Sequence, residues 1–260
     1  MSTRPLTDLP ADRILKTLRT YRQGPLLTVE LNVPEEGNAV TDAMLEDLLT
    51  VLDDQDPAVR VLVLAAAGDE FCLGGDRHEF PQHLADDPTG GGVRVNGTKA
   101  LRVCEALITN PAVTIARVQG RAVGAGVGLA LACDLRVGAD TASFRLPELA
   151  LGLPPAWGGL LSRLISEVGA ARVRELILTA RVFDAQEALA LSVLHRAVPR
   201  DALDDAVMAW AKPVLRRSAS ALRVTKAMFN SLTATTRLAD TSVFDPELLT
   251  AVLTQQHRPG

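Results

Sequence analysis

Residues 26–32, LLTVELN, alternate apolar and polar side chains at the period of a half-buried strand. The residues before them are polar, so the ordered part of the chain is expected to begin near Leu26. Across 38–53, Val40, Met44, Leu48, Val51 and Leu52 recur at helical spacing, with Thr41 placed to cap the helix and Glu46 in its first turns. Residues 59–66, VRVLVLAA, are a largely apolar, Val-rich run between Pro57 and Gly68, which suits a strand buried on both faces.

Residues 81–97 break this rhythm, because Asp86, Asp87, Pro88, Gly90, Gly91, Gly92 and Gly97 leave no room for a regular element. The reading there is a mobile loop. Helical periodicity returns over 95–107, and 112–118, AVTIARV, follows Pro111 as a buried strand. Glycines 120, 124, 126 and 128 then lead into an apolar helix at 129–133, followed by short strands at 134–139 and 142–146. From Trp157 onward the pattern is helical, with stops at Gly169, Pro199 and Pro213. Strands crowd the first 150 residues and helices the rest, which is an α/β layout. The stripe Leu203, Val207, Trp210 and Val214 needs a surface to cover it, on another copy or on the same chain.

Composition narrows the functional classes. The 260 residues are 47% hydrophobic and 22% charged, enough for a self-sufficient core. A formal charge of −4 offers no general attraction for nucleic acid or an anionic membrane. The longest uncharged apolar run, 122–133, falls far short of the about 20 residues of a membrane helix. Asp8 and Asp12 interrupt residues 1–16, which lack a stretch of signal-peptide length, so a cytoplasmic location is expected. Cys72, Cys104 and Cys133 are odd in number and widely spaced, as reduced core thiols are. His78, His83, His195 and His257 form no metal-ligand spacing, and neither a GxSxG elbow nor a GxxxxGK loop is present. No metal is expected.

Three segments taken together resemble the crotonase superfamily, the enoyl-CoA hydratase and isomerase group: LNVPEEGNAV (31–40), FCLGGDRHEF (71–80) and VQGRAVGAGVGLALACDLRV (118–137). The third continues to LPELALGLPPAWGG (146–159), and DAQEALALSVLHRAVP (184–199) resembles the segment that follows the family's active site. The match runs in order over about 26–230. It implies a spiral of ββα units with a helical C-terminal region, divided as an N-terminal extension (1–24), a spiral core (25–200) and a trimerisation region (201–260).

The resemblance also implies a chemistry. An acyl-CoA thioester becomes enolate-like in the transition state, and two backbone N–H donors aimed at its oxygen stabilise it. By resemblance these belong to Gly75 and to Ala125, where many members have glycine. Two-carboxylate hydratases of the family carry one glutamate where this chain has Gly128; only the second, Glu148, is present. One carboxylate can relay a proton between nearby carbons more easily than it can activate water and deliver a proton elsewhere in the same step. Isomerisation or hydration of an enoyl-CoA with Glu148 as the single acid/base is therefore the leading expectation. The alternatives are another crotonase reaction, such as decarboxylation, C–C cleavage or thioester hydrolysis, and a non-catalytic acyl-CoA or RNA binder.

Cys72, Leu73, Asp76, Gly124, Gly128 and Trp157 are expected around the substrate, with Trp157 covering a planar enoyl group and the carboxyl of Asp76 also suited to holding a turn. Arg121 and Arg145 are basic residues close to the motif segments, and Lys226 lies in a C-terminal helix of a kind that can approach the CoA phosphates; solvated helix faces are the alternative reading of all three. Coenzyme A, or a carrier-protein arm, would enter as part of the substrate, with no separate cofactor. The assembly implied is a homotrimer or homohexamer.

Overall fold

The structure, a computed structural model, describes residues 6–7, 11–236 and 241–256. Its larger sheet has seven strands in the order β1 (Arg13–Ile14), β2 (Leu18–Gln23), β3 (Leu26–Leu31), β4 (Val61–Ala66), β5 (Val113–Val118), β7 (Leu135–Ala139) and β10 (Arg196–Val198). The first three pair antiparallel, and from β3 onward every neighbour is parallel. Parallel strands need crossovers, and helices supply them: α1 (Asp42–Asp53) between β3 and β4, then α2 (Glu79–Asp86) and α3 (Gly91–Thr109) between β4 and β5. The Thr41 side chain caps α1 by accepting from the Met44 N–H at 3.1 Å, as its position predicts. Every residue of β3 and β4 is buried, because helices or neighbouring chain cover both faces.

A smaller sheet orders β6 (Arg121–Val123), β8 (Ser143–Arg145) and β9 (Val182–Asp184). An isolated bridge joins Cys72 to Ala122 beside it, and another joins Gly75 to Val40. These bridges tie the 71–76 segment to β6 on one side and to the chain just before α1 on the other. Helix α4 (Ala125–Leu131) leaves β6 directly and is wholly buried. The remaining helices are α5 (Leu160–Val168), α6 (Ala170–Thr179), α7 (Ala185–Ala190), α8 (Leu203–Leu215), α9 (Ala219–Thr236) and α10 (Asp245–Gln256). Among the described residues no helix is long and apolar enough to cross a membrane.

Four readings of the sequence need correction. The sheet begins before Leu26: β2 pairs with β3 along its whole length, and Leu18 and Tyr21 are buried. The segment 81–97 is two helix ends, since Asp87 accepts hydrogen bonds from the N–H groups of Thr89 and Gly91 and so caps the start of α3. Its glycines also serve contact: Gly90, left-handed at φ 79°, leaves no room for a Cβ beside Thr250, and a Cβ on Gly97 would lie 3.0 Å from Pro246, both on α10. Pro213 lies inside α8 rather than stopping it, and the short strands β9 and β10 interrupt the helical half. The stripe on α8 is covered within the chain, with Leu203 and Val207 fully buried against the main core. Exposed apolar side chains lie instead on α9, at Val224, Met228 and Phe229.

Candidate active site

A cleft of about 410 Å³ opens between the 73–77 segment, the start of α4, the turn at 147–157 and α10. Its first wall comes from the bridge between Gly75 and Val40. Val40 donates to the Gly74 carbonyl at 2.8 Å, and the Asp76 N–H donates to the Val40 carbonyl at 2.9 Å. Parallel bridging of this kind uses the groups flanking Gly75 and turns its own N–H the other way, toward the cleft. Gly74 has φ +99°, a backbone conformation that only glycine adopts freely, and this sets the direction of the next peptide.

The second wall is the start of α4. Ala125 is its first residue, so its N–H has no carbonyl one turn back within the helix. Gly124, at φ 49° and ψ −111°, makes the turn from β6 into the helix. Gly126 lets this turn press on the 71–76 segment, because a Cβ there would sit 2.4 Å from the Cys72 carbonyl oxygen. The Ala125 nitrogen is 4.0 Å from where a Cβ on Gly74 would be, so the two backbone donors border one small space.

Glu148 faces that space from a short 3-10 turn, Glu148–Leu151. Its Oε1 lies 3.0 Å from the position of a Cβ on Gly124, and its Oε2 is shut off from solvent with no hydrogen-bond partner. Burial pushes this carboxyl above the usual range, partly opposed by a bond from its own backbone N–H. Most of the surrounding wall is apolar, including Leu73, Phe80, Leu153, Trp157 and Leu249. Trp157 lies over Gly128: a Cβ on that glycine would fall 2.7 Å from the ring. An indole occupies the place where a side chain at position 128 would stand.

Gly75, Ala125, Glu148, Leu73, Gly124 and Trp157 all border this one cleft. Cys72, Asp76 and Gly128 do not. Cys72 is fully buried in the core with its thiol pushed up to about 12 by burial. Asp76 accepts from the His78 N–H at 2.9 Å and holds the turn into α2. Gly128 is roofed by Trp157. Lys226 is also elsewhere: it pairs with Asp134 at 2.7 Å and donates to the Ala112 carbonyl, fastening α9 to the sheet. Arg121 and Arg145 do reach the cleft, joined by Arg77, which the sequence left unmarked. The wall residues Val182 and Leu249 were also unmarked, since they arrive by long-range packing from β9 and α10 and carry no local signal.

Two backbone donors beside one desolvated carboxyl can hold an oxyanion and move a proton next to it. The family model for enoyl-CoA hydratase/isomerase matches residues 22–259. A crotonyl-CoA hydratase of Syntrophomonas wolfei is 34% identical over 80% of this chain and 79% of its own. Among solved structures, Pseudomonas aeruginosa AtuE superposes with a TM-score of 0.78 at 32% identity, covering 83% of each chain. A Thermobifida fusca structure in complex with CoA superposes at 0.76 and 31% identity, over 92% of this chain and 93% of that one. The chain belongs to the enoyl-CoA hydratase/isomerase family and is an enzyme of that type, with the crotonase α/β fold.

Proposed function

We propose that this enzyme shifts the double bond of an enoyl-CoA, with Glu148 as its only acid/base and the N–H groups of Gly75 and Ala125 as the oxyanion hole. The observation that carries the reading is the Glu148 carboxyl, its Oε2 shut off from solvent and without a partner, opposite a position held by Gly128 and Trp157 rather than by a second carboxylate. Glu148 takes a proton from C2 of a 3-enoyl thioester, and the C–H electrons pass into a dienolate whose oxygen the two N–H groups hold. The same proton returns at C4, leaving the bond between C2 and C3. Each donor of this kind is worth about 3–4 kcal/mol of transition-state stabilisation. The step is redox-neutral, so the reading needs no cofactor; coenzyme A enters with the substrate. Arg77, Arg121 and Arg145 at the cleft offer cationic groups to its phosphates.

A second reading, hydration of a trans-2-enoyl-CoA by Glu148 alone, is favoured by the crotonyl-CoA hydratase among the relatives. Ultraviolet absorbance of the conjugated thioester separates the two. Absorbance rising with a 3-enoyl-CoA in wild type but not in Glu148→Ala supports isomerisation, while absorbance falling with a trans-2-enoyl-CoA supports hydration. Silence with both substrates overturns both readings. We further propose a homotrimer or a pair of trimers in the cytoplasm, supported by the exposed apolar residues of α9. Light scattering that returned a monomer would remove the assembly.

A further inference from the structure

We infer that Trp157 decides which reaction runs in this cleft: its indole fills the volume that a second acid/base side chain or an attacking water would need, and so commits the bound thioester to proton transfer. The inference rests on the reading of Glu148 as the sole acid/base. Its geometry is carried by one face of α4. Gly124 and Gly128 are one helical turn apart, linked by the Gly128 N–H donating to the Gly124 carbonyl at 3.1 Å. Glu148 Oε1 lies over the first glycine at 3.0 Å and the Trp157 ring over the second at 2.7 Å, both measured from the position a Cβ would take. The carboxyl and the indole are thus neighbours along one wall of the cleft.

The indole is held there by its own loop. Gly158 and Gly159 follow it at φ 57° and 75°, and a Cβ on Gly158 would lie 2.6 Å from the Cys104 sulfur, so the loop is wedged against α3. A side chain added at position 128 would meet the ring, not open space. Glu148 Oε2 is shut off from solvent, and the indole lines the same cleft as this carboxyl. Hydration adds a water oxygen to C3 and a proton to C2; isomerisation only carries one proton from C2 to C4. Only the former needs space beside the carboxyl for a second reactant.

The test uses Trp157→Ala and Trp157→Ala with Gly128→Glu in the full-length enzyme. Each variant receives a 3-enoyl-CoA and a trans-2-enoyl-CoA in ¹⁸O water, and labelled 3-hydroxyacyl-CoA is quantified against isomerised product. The ratio of hydration to isomerisation is expected to rise at least tenfold in Trp157→Ala and further in the double variant. Loss of packing alone would slow both reactions and leave the ratio at its wild-type value, which would overturn the inference. If Trp157→Ala does not fold, Trp157→Leu keeps apolar packing while clearing the ring atoms from Gly128, and is read the same way. If wild type turns over neither substrate, the proposed function has failed. The inference is then decided by ¹³C titration of the Glu148 carboxyl, assigned with Glu148→Gln. A midpoint that falls toward the ordinary carboxylate range in the Trp157 variant supports it; an unmoved midpoint overturns it.

Discussion

Two glutamates are buried in this protein under opposite conditions. Glu30 lies in the main sheet, 7% exposed, in a polar pocket with Arg19, Arg117, Gln119 and Arg200. The Tyr21 hydroxyl donates to its Oε2 at 2.9 Å, and the charges of Arg19 and Arg117 oppose the upward push of burial on its titration. Glu148 is pushed in the same direction, but only its own backbone N–H opposes the shift and its Oε2 has no partner. Burial with a partner is how a polar group becomes part of a scaffold. A carboxyl oxygen buried without a side-chain partner, on an apolar wall beside two backbone donors, is the arrangement that the proposed proton transfer would use.

The sharpest way to break this contrast is to neutralise each glutamate in turn. Glu148→Gln is expected to lower kcat about 10³-fold, within the range for loss of a general acid/base, while Glu30→Gln leaves kcat unchanged. Steady-state kinetics on both variants checks this. In wild type, kcat should climb with pH as Glu148 ionises, with a midpoint above the ordinary carboxylate range. Ala125→Pro removes one donor at the first helical position, where proline is tolerated, and is expected to cost about 10²–10³ in kcat with the melting temperature nearly kept.

Stability should sort the two sites the other way. Tyr21→Phe strands the Glu30 carboxyl, and chemical denaturation should report a loss of about 1–3 kcal/mol with kcat unaltered. The smallest effect is on Glu148→Gln. A carboxyl whose folded pKa exceeds its unfolded value binds protons more tightly when folded, so it costs stability above that folded pKa and nothing below the unfolded one. The variant should therefore melt slightly above wild type at neutral pH, with the gap closing as pH falls through the carboxylate range. A gap that widened toward acid would mean that the folded protein holds the Glu148 carboxyl below its unfolded pKa, against the upward push of burial.

Much of this was legible in the chain itself. The Thr41 cap, the buried run in β4 and the glycines that open α4 each carry a local cause, so each stood out by pattern. Gly75, Ala125 and Glu148 stood out only through resemblance, and the structure sets them around one cleft. Residues 81–97 misled because glycine has two uses. Gly90, Gly92 and Gly97 read as breakers, yet each faces a neighbour too close for a Cβ: Thr250, His83 and Pro246. Trp157 was expected on the pocket wall, but its seat on Gly128 was not foreseeable, because the two meet through the fold rather than along the chain. That contact also changes what restoring a glutamate at 128 would mean: by itself the substitution drives a side chain into the ring.

Helix α10 reaches the cleft through Leu249. Leu249 packs with Leu84, Val93 and Ala156 in a small apolar cluster separate from the main core. A cluster of four buried side chains holds far less free energy than the core beneath it, so this corner is expected to exchange its amide protons sooner than the sheet and the Glu148 wall. Leu249 is also translated about a hundred residues after Glu148. The residues of the Gly75, Ala125 and Glu148 wall are therefore all synthesised well before the helix that covers one side of the cleft.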